Sequence, residues 1–490
     1  CSMKKTYIKI LRIMILVFPS IDTSKYLRPL FKVIFKLLKN NGTVYTIKYL
    51  KRVRLHCTRY ICGHPLFIND MMIGIDKEGP KVFSFLKPLV DGNLESLKYL
   101  FTILNFTRSD LTGKESKIKP DYDSITNESK MTHIIPSGVI NKFVQEYRLK
   151  STHPEFDKLK DVYLSTKAGP NGPATLSAQQ DLLNFDYPMM DRLFKITTND
   201  GIDFFSKNYS EAFNKMIKPS KLRTLGKISF VKDPECKLRI IAISDYFSQL
   251  YLKPIHNKIM NKLQNLPCDR TYTQSPFNKE INNENFSLDL SSATDRFPVE
   301  LQKRLMARIF DMKLAQAQSI LQERVFSTPE GYQLKYSTGQ PMGTYSSSVF
   351  TLTHHLVVYY CAQLCGYKNF DQYIILGDDI VIKNDKVAKK YINIIKGLGV
   401  ELSMQKTHVS SNTYEFAKRI QESHNREITG LPLGGILRNI NNPNIVFTVL
   451  YDYFKIKGNY LPSSTNSLVD LVNSFYHKLI FRNNKYFKLS

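Results

Sequence analysis

Tryptophan is absent from the 490 residues, and cysteine occurs only seven times. An odd count without regular spacing excludes a disulfide framework and points to a reducing compartment. Acidic side chains are scarce: 43 Asp and Glu stand against 69 Lys and Arg, a formal net charge of +26. That excess suits a polyanionic partner, nucleic acid first, and an anionic membrane surface or a generally basic enzyme after it. No apolar run is long enough to cross a bilayer, so no stable membrane span is expected. Internal repeats are missing too. A hydrophobic content of 42% excludes a disordered basic tail. The length allows a large core and two or more subdomains. Lys, Asn, Ile, Tyr and Phe are plentiful, a bias that an AU-rich coding sequence would produce.

The first acidic residue is Asp22, after Lys4, Lys5, Lys9 and Arg12. The apolar segment from Ile8 to Phe18, interrupted by Arg12, reads as a surface helix packing on the body, with a basic targeting helix as the alternative. The chain opens on Cys1, which suggests a fragment boundary with Met3 as a candidate start. His56, Cys57, Cys62 and His64 lie near one another, but their spacing matches no standard zinc site.

The densest chemical signal is QYIILGDDIVIK, residues 372–383. Two apolar runs flank Gly377-Asp378-Asp379, so the segment reads as a hairpin with two carboxylates at its tip. Adjacent carboxylates repel and resist burial, which a bound divalent cation relieves. Magnesium takes one or two carboxylates together with substrate phosphates. An ordinary Gly-Asp turn is the plainer reading. In NFSLDLSSATDRFP, residues 285–298, Asp289 is placed at a strand end and Asp295 in the turn before a helix. If that strand lies beside the hairpin, three carboxylates meet, as a pair of metal ions clamping a phosphoryl displacement requires.

Other segments supply cations and loops. Lys227, Lys232, Lys237 and Arg239 fall on or beside strand-like runs, where they can neutralise a triphosphate or merely protect an edge strand. Gly339, Gln340, Pro341, Met342 and Gly343 form a loop open to close backbone approach, followed by a Ser/Thr run entering a helix that ends near His354 and His355. KAGPNGPATLSAQQD, residues 167–181, is a Gly-Pro loop of the kind that guides a nucleic-acid strand. Residues 109–130 are polar without apolar period and read as a loop or linker. After Pro298, placed at a first helical position, helical periodicity runs through VELQKRLMARIFDMKLAQAQSILQERVF. Val387, Tyr391, Ile394, Ile395 and Leu398 mark another helix face, ended by Gly397 and Gly399, with a short strand from Val400 to Leu402 after it.

Taken in order, these motifs resemble those of viral RNA-dependent RNA polymerases, mitovirus polymerases above all, with narnavirus and levivirus relatives behind them. The resemblance rests on GPNG at 169–172, KLRIIAISDY at 237–246, DLSSATDRFP at 289–298, GQPMGTYSSS at 339–348, LGDD at 376–379, LGVELSMQKTHVS at 398–410, YEFAKR at 414–419 and PLGGIL at 432–437. It implies an α+β right hand of fingers, palm with an antiparallel sheet, and thumb. The segments would be an N-terminal extension and start of the fingers at 1–130, fingers at 131–284, palm at 285–430 and a short or truncated thumb at 431–490. It also implies template-directed RNA synthesis from NTPs, replicating a positive-strand genome. RNA template and nascent RNA would be the partners, and two Mg2+ ions, replaceable by Mn2+, the cofactors.

Residue by residue, Asp289, Asp378 and Asp379 match the metal ligands. Asp295, helped by Ser346 or Ser347, matches the sensor of the ribose hydroxyls. Lys227, Lys232, Lys237, Arg239 and Gly343 match the NTP channel. Gly169, Pro170, Asn171, Gly172 and Gln340 match template contacts, and Lys406 a general acid for pyrophosphate. The host mitochondrion is the implied location, with host cytoplasm as the alternative, and protein partners are not legible. A reverse transcriptase would carry an aromatic-x-Asp-Asp hairpin and a bulky block to the 2′-hydroxyl; here stand Leu376-Gly377-Asp378-Asp379 and the acceptor Asp295. An inactive RNA-binding remnant is opposed by the intact Asp289, Asp295, Asp378, Asp379 and Arg239.

Overall fold

The structure, a computed structural model, describes residues 2–66, 75–76, 79–108, 118–154, 165–182, 184, 224–277, 283–422 and 426–479. The first part of the expected 109–130 loop, through 117, and residues 220–223 of the basic segment leading into the strands lie outside them. The chain divides into two compact units. One comprises Cys1–Ile118, Lys232–Lys237 and His408–Ser490; the other comprises Lys119–Val231 and Leu238–Thr407.

The first unit is mainly helical. Helix Ser2–Val17 buries Ile10, Ile13, Met14 and Val17, spacings that place them on one face. It packs into the unit's core, as the surface-helix reading requires. The next helical stretch, Thr23–Ile61, is interrupted at Gly42, whose φ of 79° no regular helix accommodates. Leu27, Leu30, Phe31, Tyr99 and Phe106 join Ile436, Leu450, Leu471 and Phe475 in one hydrophobic cluster. Segments more than three hundred residues apart therefore share a core. Cys57 and Cys62 are buried, which pushes their thiols up to about 12 and about 11. Cys62 Sγ accepts a hydrogen bond from Thr413 Oγ1 at 3.0 Å. Among the described residues no three His, Cys, Asp or Glu side chains group to hold a metal, so the His56–His64 cluster is not assembled as a zinc site.

Glu235, on the hairpin tip that belongs to this unit, is held by basic residues. Arg54 reaches both its carboxylate oxygens, Thr107 Oγ1 donates at 2.9 Å, and Lys51 and Arg108 stand at 3.6 and 3.8 Å. Burial alone would raise this carboxyl; the Arg54 bond and the surrounding positive charges overcome it and hold it at about 2. A depressed carboxyl contributes stability that is present above its unfolded value near 4.5 and lost as pH falls through about 2. Glu235→Gln should therefore lower stability at pH 7 by about 3 kcal/mol and flatten the acid limb of the stability profile. Urea titrations at pH 7 and pH 3 check this; equal losses at both would mean that the charge is not what stabilises.

Among the described residues the second unit holds two larger sheets and a two-stranded one that pairs Leu290–Ser291 with Glu401–Leu402. Strand Asp379–Ile382 lies between Asn285–Leu288 and Tyr373–Leu376, antiparallel to both. Ile374, Ile375, Val381 and Ile382 are fully buried, and β-branched residues favour such pleated, packed positions. The other sheet runs Lys237–Ser244, Gly226–Asp233, Val325–Ser327, Gln333–Lys335. Helices Tyr246–Leu263, Val299–Ile309, Ser347–Leu364 and Asp385–Gly397 supply the rest of the body. The long periodicity after Pro298 is two helices, because Asp311 accepts from Leu314 N at 2.9 Å and caps a new start at Met312–Gln322. Pro298 itself is the residue preceding Val299–Ile309, one position earlier than expected.

The 118–130 part of the expected linker is structured. It carries the short helix Asp123–Thr126, with Ile125 fully buried. Arg296 Nη1 donates to the carbonyls of Ser124 and Asn127, its Nη2 to that of Glu128, and Ser337 N to that of Ile125.

Candidate active site

The register of the central sheet sets the carboxylates. Ile380 pairs with Leu288 and Val381 with Ser287, so the next position along places Asp289 opposite Asp379. Asp378 lies one residue away in the two-residue turn that joins Leu376 to Asp379. Gly377 there has a φ of 60°, while Asp378 has no positive φ, the pattern of a type II′ turn. Asp378 is exposed, and Asp289 and Asp379 are half-buried.

A second segment clamps Asp289. Ser403 N donates to Asp289 O at 2.9 Å, Asp289 N donates to Thr407 Oγ1 at 3.4 Å, and Leu402 pairs with Leu290. The turn from Ser403 to Thr407 carries Lys406, whose Nζ stands 3.9 Å from Asp289 Oδ2 with its side chain 59% exposed.

Asp295 sits in the short helix Ala293–Arg296, entered through Ser292 at φ 50°. Its Oδ2 accepts from Ser124 Oγ at 2.8 Å. Burial raises its carboxyl above the ordinary range, with the Ser124 bond and the Arg296 charge pulling the other way. It caps no helix: Val299–Ile309 has no side-chain cap, and the hydrogen bonds of Arg296 go to backbone carbonyls. Gly339 lies on the backbone of Thr294 and Asp295 so closely that a Cβ there would collide with their carbonyls. Gln340 N donates to Thr294 O at 2.9 Å.

The same loop reaches the Lys237–Ser244 strand, since Ala242 N donates to Met342 O at 2.8 Å. Gly343, exposed at φ 109°, leaves no room for a Cβ beside Ile241 and Ala242. Ser346 is fully buried, its Oγ 2.7 Å from Thr344 Oγ1, so Ser347, exposed at the helix start, is the hydroxyl open to a ligand. Lys227 and Arg239 are exposed on their strands. Lys232 and Lys237 are exposed as well but fall in the other unit.

The expected template residues 169–172 form a tied loop in this structure, with Asn171 and Gly172 partly exposed. Gly169 and Pro170 are buried, and Gly169 N donates to Gly172 O at 2.6 Å. Asn171 Nδ2 donates to Asp181 Oδ1 at 2.7 Å and to Thr224 O at 2.9 Å, latching the loop. Gln340 is 2% exposed. Burial and the nearby Asp245 push Asp181 up to about 7. Ser124, Thr407 and Asp181 carry no sequence signal of a site role. His354 and His355, adjacent and buried within an apolar helix, do.

The donors that a magnesium ion would meet are those of Asp289, Asp378 and Asp379. They are carboxylate oxygens, exposed at Asp378 and half-buried at Asp289 and Asp379, and among the described residues no three Asp, Glu, His or Cys side chains group to hold a metal, so the three carboxylates expected to meet are set along one sheet edge but not gathered into a ready-made site. Magnesium typically keeps waters and takes one or two carboxylates plus substrate phosphates, so the donor chemistry suits it with the substrate completing the set.

The family described as Mitovirus RNA-dependent RNA polymerase matches residues 156–489, more than half of the chain. An RNA-directed RNA polymerase of Cryphonectria parasitica mitovirus 1 is 31% identical over 343 residues, 64% of this chain and 41% of the relative, so the chain spans less than half of that protein's length. An uncharacterized mitochondrial protein of Arabidopsis thaliana is 36% identical over 29% of this chain and 76% of its own. The crystal structure of the RNA-dependent RNA polymerase of a human picobirnavirus is similar with a TM-score of 0.53 at 11% identity, covering 73% of each chain. Its insertion-loop deletion mutant gives a TM-score of 0.50. The fold is thus the α+β polymerase fold expected from the motifs.

Proposed function

Because the chain belongs to the mitovirus RNA-dependent RNA polymerase family, we propose that it extends an RNA strand on an RNA template from NTPs, releasing pyrophosphate and replicating a positive-strand genome. The observation that carries this reading is the register that sets Asp289 opposite Asp379, with Asp378 in the adjoining turn and Lys406 at 3.9 Å. Asp289, Asp378 and Asp379 would hold two magnesium ions, for which manganese can substitute. Such ions supply charge neutralisation at the attacking and leaving oxygens. The 3′-hydroxyl gives its proton to solvent water as its oxygen bonds to the α-phosphorus, the bond from that phosphorus to the bridging oxygen breaks, and Lys406 gives the departing pyrophosphate its proton. Lys227 and Arg239 neutralise the triphosphate. Gly343 lets the backbone approach the nucleotide closely.

In this reading 131–284 are fingers, 285–430 palm and 431–490 a short thumb, with 1–130 an N-terminal extension and the start of the fingers. The mitovirus relative and the mitochondrial Arabidopsis relatives support a mitochondrial location. Primer extension by the purified chain with magnesium, four NTPs and an RNA template tests the proposal. Labelled product that grows with template length is expected, and its absence over a range of templates would overturn it.

Asp295 would select the sugar. An ionised carboxylate accepts and a 2′-hydroxyl donates, so a ribose can take the place that Ser124 Oγ holds in the free protein. A deoxynucleotide leaves the acceptor unpaired, a loss of roughly 1.5–3 kcal/mol or one to two decades in preference. Asp295→Ala should raise the apparent KM for NTPs by about that factor and change dNTP use little. Equal losses with both nucleotide types would remove Asp295 from the sugar site.

A further inference from the structure

The helix Ser347–Leu364 brings His354 under the hairpin turn. His354 Nδ1 lies 2.8 Å from Gly377 O, and Nε2 lies 2.6 Å from Tyr391 Oη, on the helix Asp385–Gly397. Both side chains are fully buried. Phe297 and Phe350 stand with ring centroids 6.1 Å from the imidazole and restrict its rotation. A carbonyl can only accept, so Nδ1 carries the proton and donates; Nε2 must then accept, and the Tyr391 hydroxyl donates to it. Three elements are thereby joined through one ring with a fixed direction of donation.

The carbonyl it holds is not an arbitrary one. Gly377 O belongs to the central peptide of the two-residue turn. Types II′ and I′ differ mainly by a rotation of that peptide, which changes ψ of the first central residue and the sign of φ of the second. Gly377 permits either, and aspartate is among the few residues that tolerate positive φ. Nothing in the local sequence therefore forces the observed turn. Rotation of the peptide would break the His354 bond and re-aim the Asp378 side chain.

We propose that His354 and Tyr391 are positioning residues that lock the Gly377–Asp378 peptide and so aim the Asp378 carboxylate for the polymerase reaction. The proposal rests on the polymerase reading for its kinetic consequence, but the lock itself can be observed without turnover. The experiment uses the whole chain with His354→Leu, His354→Asn and Tyr391→Phe. His354→Leu removes the donor; His354→Asn keeps an N–H close to the place of Nδ1. Tyr391→Phe removes only the hydroxyl and keeps the packing, so it remains informative if His354→Leu does not fold.

Hydrogen exchange of the peptide spanning Tyr373 to Ile382 should quicken at the turn in His354→Leu and in Tyr391→Phe. It should return most of the way to the parent rate in His354→Asn. In primer extension, kcat should fall about tenfold to a hundredfold, as a misplacement near 1 Å does, while KM for NTPs stays within about twofold. Exchange at the turn unchanged in folded His354→Leu or Tyr391→Phe overturns the lock. Faster exchange with unchanged kcat overturns its role in the reaction. Failure of the parent chain to extend any primer would instead strike the polymerase reading, leaving exchange to decide the lock.

Discussion

Asp289→Ala and Asp378→Asn should each lower RNA synthesis by about a thousandfold or more, some 4 kcal/mol of transition-state stabilisation, and leave the chain folded. The expectation follows from where these groups sit. Asp289 is 39% exposed just past the end of Asn285–Leu288, and Asp378 is exposed in the turn. Neither fills core space, so removing one opens no cavity. The register sets Asp289 opposite Asp379, beside the turn that carries Asp378, and like charges so placed repel until a cation or Lys406 offsets them. Melting temperatures of the variants without metal should therefore equal or exceed that of the parent. Substituting Asp378 by Asn keeps the turn's size and its capacity for hydrogen bonding, so a loss of rate there reports the charge. Single-turnover extension of a labelled primer measures the rate. Near-parent synthesis by either variant would remove it from the reacting centre. A large drop in melting temperature would assign the residue to the fold instead.

What could be read in advance was local. Tyr373–Leu376 and Asp379–Ile382 were legible as a hairpin because two apolar β-branched runs meet at a Gly-Asp turn within a dozen residues. The strand that stops just before Asp289 was legible from its alternation, and the helix face of Val387, Tyr391 and Ile394 from its helical period. The break at Asp311 was not, since apolar periodicity continues across it and only the cap to Leu314 N reveals a new start. Long-range partners left no trace. Ser124 meets Asp295 across a separation of 171 residues. The apolar faces of Ser2–Val17 and Leu468–Leu479 announce burial without naming each other. Asn171 is a further case: the Gly-Pro composition of its loop announces a turn, but not that its carboxamide latches Asp181 and Thr224. Composition reports what a backbone can do, and contacts decide what it does.

Lys406→Leu should slow nucleotide addition by about a hundredfold, with a much smaller effect on KM for NTPs, because proton donation acts on the reacting state alone. The structure sharpens how this can be tested. Lys406 stands 3.9 Å from Asp289 Oδ2, so its loss also removes a positive charge beside a proposed metal ligand. That second effect has the opposite signature. In the free protein the ammonium competes with a cation for the carboxylate, so a leucine should favour cation binding and lower the magnesium concentration needed for half-maximal rate. A slower enzyme with an unchanged or reduced magnesium requirement therefore points to the missing acid. A slower enzyme rescued by excess magnesium points to a damaged metal site. Lys406→His separates the cases further. An imidazolium can donate a proton, so part of the rate should return, and because imidazole titrates well below an amine the alkaline fall in kcat should move to lower pH. The Ser403 to Thr407 turn is held to Asp289 by main-chain and Thr407 bonds that neither substitution touches, so the geometry around Asp289 stays in place. If Lys406→Leu extends primers as fast as the parent at every pH, the pyrophosphate takes its proton from water or from another group.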